Sequence, residues 1–182
     1  MLPKQEKKKK EAFTREELEK IGKAVNKVDY ADMIYTLCYT GFRISEFLEL
    51  KRDSYDSKKF TLTGGKKTDA GKDRVVPIHP KIRGIVAKYA LMNGDTLFCR
   101  SDGKAFTADN FRKDYYYAAL ERIGARILTP HSTRHTFLTL LSDAGARTED
   151  IQALAGHEDF EMTATYIHPD IITLQRTINL LK

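Results

Sequence analysis

The chain has 182 residues, of which 41% are hydrophobic and 31% are charged, a composition typical of one folded domain rather than a disordered chain. The net charge of +6 is compatible with a polyanionic partner, although many proteins with this charge bind none. No apolar run reaches the roughly 18 to 20 residues of a membrane span, and the N-terminus lacks the apolar core of a signal peptide. The distant cysteines Cys38 and Cys99 predict neither a disulfide framework nor a cysteine-rich zinc site. We therefore expect a cytoplasmic protein.

The N-terminal residues 1–13 carry a run of four lysines, Lys7 to Lys10, and show no apolar periodicity. This pattern predicts a basic tail followed by a folded domain over residues 14–182. Thr14 and Glu17 have the spacing of a capping box, and apolar residues recur after them at helical intervals. The first helix is therefore expected to begin at Thr14.

The next stretch predicts a second helix, over residues 32–40, that stops at Gly41. Glycine suits the left-handed position after a helix, and Arg43 opens a new short helix directly after this break. Apolar residues then alternate around a polar turn over residues 58–78, which predicts a hairpin or small antiparallel sheet with Pro77 at a strand end. Further helices are predicted over residues 80–92, 107–124, 133–144, 148–155 and 170–181. The expected fold class is mainly α with a small antiparallel β-sheet (α+β).

One pair of polar residues suggests anion chemistry. His131 and Arg134 are three positions apart, so on a helix they share one face, and a planar guanidinium can hold two phosphate oxygens. Taken alone, the pair has a simpler interpretation as a helix cap and a salt-bridge partner. His131 and His135 could instead share a metal, but no HExxH glutamate and no nearby acidic cluster complete such a site. A metal site is therefore not expected.

The His131 and Arg134 pair is part of one of five short stretches that are informative when they are taken together in chain order. They are residues 40–46 (TGFRISE), the hairpin residues 66–68 (KKT) with 74–77 (RVVP), residues 131–136 (HSTRHT), residues 154–157 (LAGH) and residues 165–169 (TYIHP). Together they resemble the catalytic domain of the tyrosine recombinases, the phage and mobile-element integrase family, from about residue 14 to residue 182. The resemblance implies the catalytic-domain architecture of the DNA breaking-rejoining enzymes.

The resemblance also assigns catalytic roles. Tyr166 is the expected nucleophile, nine residues after His157, and two arginines form the expected clamp on the scissile phosphate. A hairpin lysine is the expected general acid, and Lys67 is favoured over Lys66 because a threonine follows it. The predicted catalytic residues are Arg43, Lys67, His131, Arg134, His157 and Tyr166.

The implied chemistry needs no ATP, metal or other cofactor. A phenol that attacks phosphorus forms a covalent intermediate, and the energy of the phosphodiester is retained for rejoining. The extra negative charge on the five-coordinate phosphorus would fall between the two arginines. His79, His135 and His168 are expected in packing or loop roles, and the tyrosines 115–117 in packing or groove-lining roles.

Double-stranded DNA is the partner that the resemblance implies, with a tetramer on synapsed DNA, a monomer without DNA and no membrane contact. The expected activity is site-specific recombination, for integration or excision of a mobile element or prophage. Longer members of the family carry an upstream helical domain that this chain is expected to lack. The apolar last helix is expected to pack either on its own domain or on a neighbouring protomer.

Two other functions fit parts of the sequence. The predicted helix, turn and helix over residues 133–155 have the proportions of a helix-turn-helix, so a DNA-binding protein without catalysis is one alternative. A topoisomerase of type IB is the other, because it would use the same residues to relax supercoils. A nucleophilic tyrosine distinguishes the recombinase and the topoisomerase from the DNA-binding protein without catalysis, which needs no such residue.

Overall fold

The computed structural model describes residues 11–65, 73–156 and 169–182, which form a mainly helical fold with one small sheet. The expected fold class is confirmed. Within these ranges, no helix is both long and apolar enough to cross a bilayer. The helices are α1 (Arg15–Ala24), α2 (Ala31–Thr40), α3 (Ile44–Leu48), α4 (Pro80–Ala90), α5 (Ala108–Asn110), α6 (Tyr117–Ile123), α7 (His131–Asp143), α8 (Thr148–Ala155) and α9 (Ile171–Ile178). The strands are β1 (Tyr55–Asp56), β2 (Thr61–Gly64) and β3 (Arg74–Pro77).

Helix α2 is the centre of the core. Nine of its ten residues are buried, and it packs against α1, α4 and α7. The buried hydroxyls of Thr36 and Thr40 donate to the carbonyls four residues earlier, at 2.7 and 2.9 Å, so they need no partner outside the helix. A helix that is buried on every side gives the neighbouring elements a fixed reference.

The three strands pair in the order β1, β2, β3, and both pairs are antiparallel. Pro77 is the last residue of β3, as predicted. Arg74 and Val76 point inwards and are buried, whereas Val75 between them is exposed. The alternation of a strand thus carries one arginine into the protein interior.

The helical stretch over residues 108–123 is not a uniform α-helix. Between α5 and α6, the residues Phe111–Tyr116 are wound as a π-helix, which widens the turn. Phe111 and Tyr116 are five residues apart and both are fully buried. The wider winding places both rings on the side that faces the core.

Helix α7 begins two residues earlier than predicted. The sequence suggested that Thr133 starts this helix, but Pro130 is the residue before its first turn and His131 is its first residue. The Thr133 hydroxyl donates to the Pro130 carbonyl at 2.7 Å instead of accepting from a free N–H group. His131 and Arg134, the pair singled out from the sequence, therefore both belong to α7.

The start of α1 has the predicted capping box and an additional ion pair. Thr14 and Glu17 exchange the two expected hydrogen bonds. Glu17 also accepts from the Nε and Nη2 atoms of Arg126, at 2.8 Å each, and from its backbone N–H at 3.0 Å. These bonds from Arg126 lower the pKa of Glu17 to about 2.

Phe13 joins the chain start to α7. The sequence assigned Phe13 to the basic tail, but its ring is buried in the core. Its backbone N–H donates to the Thr136 hydroxyl on α7 at 2.9 Å. The lysine run at 7–10 lies outside the described residues.

Helix α9 packs on its own chain, against β3 and α8, which is one of the two arrangements considered from the sequence. The Thr177 hydroxyl donates to the Asp150 carboxylate of α8 at 2.8 Å. His79 is buried at the start of α4, and its Nε2 lies 3.0 Å from the Leu181 carbonyl. Ile172 on the outer side is 61% exposed. The buried apolar residues of this C-terminal segment are Leu174, Ile178 and Leu181.

We expect Glu17→Gln to lower the free energy of unfolding at neutral pH by about 1–2 kcal/mol. This range is smaller than the pKa shift of Glu17 alone would give, because Arg126 is partly exposed and solvent screens the ion pair. Because the folded-state pKa of Glu17 lies below its ordinary value, the stabilisation is complete above about pH 4.5 and is lost towards pH 2. Urea denaturation of wild type and variant at several pH values would measure this difference.

The matched control is Glu19→Gln, because the Glu19 side chain on the same helix is 72% exposed in a 3.9 Å ion pair. This variant should remain close to wild type at every pH. A Glu17→Gln difference that stays constant as the pH falls would contradict the assignment to ionised Glu17.

Candidate active site

Arg43 owes its position to the break between α2 and α3. Gly41 ends α2 in the left-handed region, with φ 66°, a conformation that glycine adopts without steric cost. Phe42 then enters the core, and Arg43 stands at the N-cap of α3 in an extended conformation. The Arg43 side chain is 28% exposed, so solvent and ligands can reach it.

Glu46 holds Arg43 through two contacts. Its Oε2 accepts from the Arg43 backbone N–H at 3.0 Å, and its Oε1 accepts from Arg43 Nη1 at 2.9 Å. Burial alone would raise the pKa of Glu46, but hydrogen bonds and charges from Arg74 and then Arg43 outweigh it and keep the pKa below its ordinary value. Glu46 is therefore an ionised group inside the site.

Arg134 is one of the largest side chains of the core and is only 2% exposed. Its Nη1 donates to the Gly41 carbonyl at 2.7 Å. Its Nη2 is buried and has no hydrogen-bond partner among the described residues. Burial, followed by the charges of Arg43 and Arg74, lowers the pKa of Arg134 to about 10, so the group stays protonated at neutral pH.

Arg74 is a third arginine of this region and is also buried. Its Nη2 donates to Glu46 Oε2 at 2.9 Å, and its Nε donates to the Leu154 carbonyl at 3.1 Å. Its guanidinium carbon lies 4.5 Å from the centroid of the Phe42 ring. Arg74 thereby connects β3, α3 and the end of α8.

The two histidines of α7 lie at its exposed start. His131 is exposed, one helical turn before Arg134, and its ring centroid lies 4.6 Å from that of His135 at nearly a right angle. His135 is half-buried, and the packing role expected for it stays a prediction. Within residues 11–65, 73–156 and 169–182, no three metal-ligating side chains cluster.

The other predicted site residues fall outside the described part of the chain. They are Lys66 and Lys67 of the hairpin, and His157 and Tyr166 before α9. Their neighbours are described: β2 ends at Gly64, β3 begins at Arg74, and α8 ends at Ala155 with Gly156 as its left-handed cap. The Arg74 contact with Leu154 joins two of these neighbouring elements.

Residues 11–171 match the family model described as the phage integrase family. This chain belongs to the phage integrase family. The family expected from the five sequence stretches is thus confirmed. Over 163 residues, this integrase-family chain is 31% identical to the tyrosine recombinase XerA of Thermococcus onnurineus. That match covers 85% of this chain and 57% of the relative, and the chain spans about half the length of the curated relatives it matches.

Solved structures of integrases share the fold. The integrase from mycobacterium phage Brujita is 20% identical with a TM-score of 0.78, over 100% of this chain and 61% of the other. The integrase of transposon Tn1549, solved in complex with transposon right end DNA, is 20% identical with a TM-score of 0.71, over 90% of this chain and 65% of the other. At this identity the likeness establishes the fold of this integrase-family chain.

Sequence reasoning gave no role to Glu46 and Arg74, although both lie in the stretches that carried the resemblance. Glu46 stands three residues after the N-cap Arg43, which is the capping-box position for a glutamate. Arg74 occupies an inward-facing strand position, where a charged side chain needs a buried partner. These two signals could have singled out both residues. Nothing in the sequence near either residue, however, indicates that Glu46 and Arg74 pair with each other.

We expect Gly41→Ala to be strongly destabilising, by about 2–4 kcal/mol, because it combines a strained left-handed conformation with overpacking. A Cβ at this position would overlap the Phe137 ring. Gly145→Ala is the matched control, because its φ is 78° but nothing lies within 4 Å of the added Cβ. Thermal and urea unfolding of the two variants should show a clearly larger loss for Gly41→Ala, and equal losses would refute the predicted overlap.

Proposed function

We propose that this chain cleaves and rejoins DNA strands in site-specific recombination, through a 3′-phosphotyrosyl intermediate on Tyr166. The observation that carries the proposal is the buried Arg134 Nη2, which has no partner among the residues described. A buried donor left without an acceptor costs about 1–3 kcal/mol, and more when it is charged. A phosphate oxygen would supply both the acceptor and the opposite charge.

The two arginines of the proposed clamp are suited to different tasks. Arg134 is held at the Gly41 carbonyl by Nη1, so its remaining donors have a fixed direction. Arg43 is partly exposed and is held by Glu46, so it can meet a phosphate that arrives from solvent. A guanidinium carries five N–H donors, and each of these arginines keeps donors beyond the contacts described.

In the proposed reaction the Tyr166 oxygen attacks phosphorus, and the bond between phosphorus and the 5′ oxygen breaks. The phenolic proton passes to His131, and the departing 5′ oxygen takes a proton from Lys67. His157 would donate a hydrogen bond to the same phosphate oxygens as the arginines. One phosphodiester replaces another, so reversal by a 5′ hydroxyl reseals a strand without ATP.

The proposed partner is double-stranded DNA, with a tetramer of protomers on two synapsed duplexes and a monomer in its absence. The support for DNA is family membership, the name of the XerA relative and the DNA complex of the Tn1549 integrase. A mobile element or prophage is the proposed context, and the cytoplasmic nucleoid is the proposed location. The basic residues 1–13 are proposed as a linker that adds salt-dependent affinity.

We expect Tyr166→Phe to abolish covalent attachment to DNA, because phenylalanine has no oxygen to attack phosphorus. The measurement is capture: the protein is incubated with a library of nicked duplexes and denatured, and the attached DNA is counted and sequenced. Tyr55→Phe is the matched control, since Tyr55 lies on β1 at the far edge of the sheet from β3. It should give as much adduct as wild type.

Each other result of the capture has a definite meaning. An undiminished adduct in Tyr166→Phe would show that another residue is the nucleophile. A wild-type chain that binds duplex DNA without any adduct, and that still forms none when the capture is repeated with an upstream helical domain attached, would support the helix-turn-helix alternative. An adduct accompanied by plasmid relaxation, without strand exchange between two duplexes, would support the topoisomerase alternative.

We expect Arg134→Met to lower the single-turnover cleavage rate by roughly 10²–10³-fold, because a donor aimed at the developing charge is lost. Arg134→Lys should recover little, since one ammonium cannot reproduce the fork that meets both Gly41 and the phosphate. Cleavage rates on a nicked duplex, with DNA affinity measured in parallel, provide the test. A rate within twofold of wild type would remove Arg134 from the proposed clamp.

A further inference from the structure

We propose that Arg74 is a positioning residue that sets Arg43, through Glu46, for its contact with the scissile phosphate. The inference rests on the proposed function and extends it to a residue outside the predicted catalytic set. Arg74 is the first residue of β3 and is 7% exposed. An arginine buried this deeply must have several partners to offset its lost hydration.

The Glu46 carboxylate is the link between the two arginines. One oxygen, Oε2, accepts from both Arg74 Nη2 at 2.9 Å and the Arg43 backbone N–H at 3.0 Å. The other oxygen, Oε1, accepts from Arg43 Nη1 at 2.9 Å. Because Arg74 fixes the plane of this carboxylate, it also fixes the direction in which Oε1 holds the Arg43 guanidinium.

Arg74 is itself held at two further points. Its Nε donates to the Leu154 carbonyl in the last turn of α8, and its guanidinium stacks over the Phe42 ring. Phe42 stands between the Gly41 carbonyl, which binds Arg134, and Arg43. A planar guanidinium can make these contacts in three directions at once, whereas a lysine ammonium would keep only the charge beside Glu46.

The contacts of Arg74 distinguish it from a phosphate ligand. Its Nε and Nη2 already donate to protein acceptors, and its side chain is almost fully covered. Arg134 differs, because it keeps a buried Nη2 without a partner in the described ranges. The charge of Arg74 also acts on both arginines of the proposed clamp. Arg74 therefore orders the cluster, while Arg43 and Arg134 are left to meet the substrate.

The test is a double-mutant cycle on single-turnover cleavage of a nicked duplex by the full chain. Its variants are Arg74→Met, Glu46→Gln and the double variant. We expect each single variant to slow cleavage by roughly 10- to 100-fold, since a small misplacement of a catalytic group has an effect of this size. The double variant should be no slower than the slower single variant, because both changes break the same link. DNA affinity should change by less than threefold.

Arg83→Met is the matched control. Arg83 also donates from Nε to a backbone carbonyl, that of Ile78, and stacks at 4.1 Å over the Phe60 ring, but it has no contact with Glu46 in the described structure. It should cleave at the wild-type rate. Arg74→Lys keeps the charge beside Glu46 and should recover part of the rate, which also provides a readable variant if Arg74→Met does not fold.

Three results would overturn the inference while leaving the proposed function intact. They are a wild-type cleavage rate in Arg74→Met, a double variant whose defect is the product of the two single defects, and an Arg74→Lys variant as slow as Arg74→Met. Absence of cleavage by the wild-type chain would instead refute the proposed function, and this inference with it.

Discussion

Buried between Arg43 and Arg74, the Glu46 carboxylate accepts hydrogen bonds from both arginines, and the arrangement of the site depends on this shared acceptor. A buried ion pair stabilises a protein only when its hydrogen-bonding capacity is used. Here one oxygen serves a strand arginine and the backbone of a helix start, while the other serves the arginine beside the solvent. The contact joins α3 to β3, and Arg74 extends the connection to α8.

The second fixed point of the site is the end of α2. The helix is buried on every side, so its last residue cannot shift without disturbing α1, α4 and α7. The left-handed Gly41 then turns its carbonyl to Arg134, while the Phe137 ring occupies the space of the absent side chain. One residue thus allows the close approach of α7 and accepts the hydrogen bond that orients Arg134.

Local patterns predicted most of the helices because their causes lie within a few residues. The capping box of Thr14 and Glu17 and the stop at Gly41 are signals of this kind, and both are present in the structure. The start of α7 shows the limit of such signals, because the helix begins at His131, two residues before the predicted start. The Thr133 hydroxyl lies inside the first turn and donates to the Pro130 carbonyl.

The candidate site was predicted only in part, for a related reason. Arg43 and Arg134 were recognised from their motifs, and Glu46 lies only three residues from Arg43, but the contacts that join the site across the fold link residues distant in the sequence. Arg74 and Glu46 are 28 positions apart, and Arg134 and Gly41 are 93 apart. Such pairs form only when β3 and α7 have packed against α2 and α3. A single sequence gives the residue types, whereas the tertiary packing decides which of them meet.

The excess positive charge around Arg134 has a consequence for the evolution and engineering of this protein. Among the described residues, burial and the charges of Arg43 and Arg74 disfavour the charged form of Arg134, and Glu46 favours it, so the positive charge at this position is unfavourable to folding. An apolar residue at this position would remove the repulsion together with the proposed phosphate donor, so stability and the proposed activity make opposite demands on Arg134. Selection for thermal resistance alone would therefore tend to remove this arginine, and only selection for function would keep it.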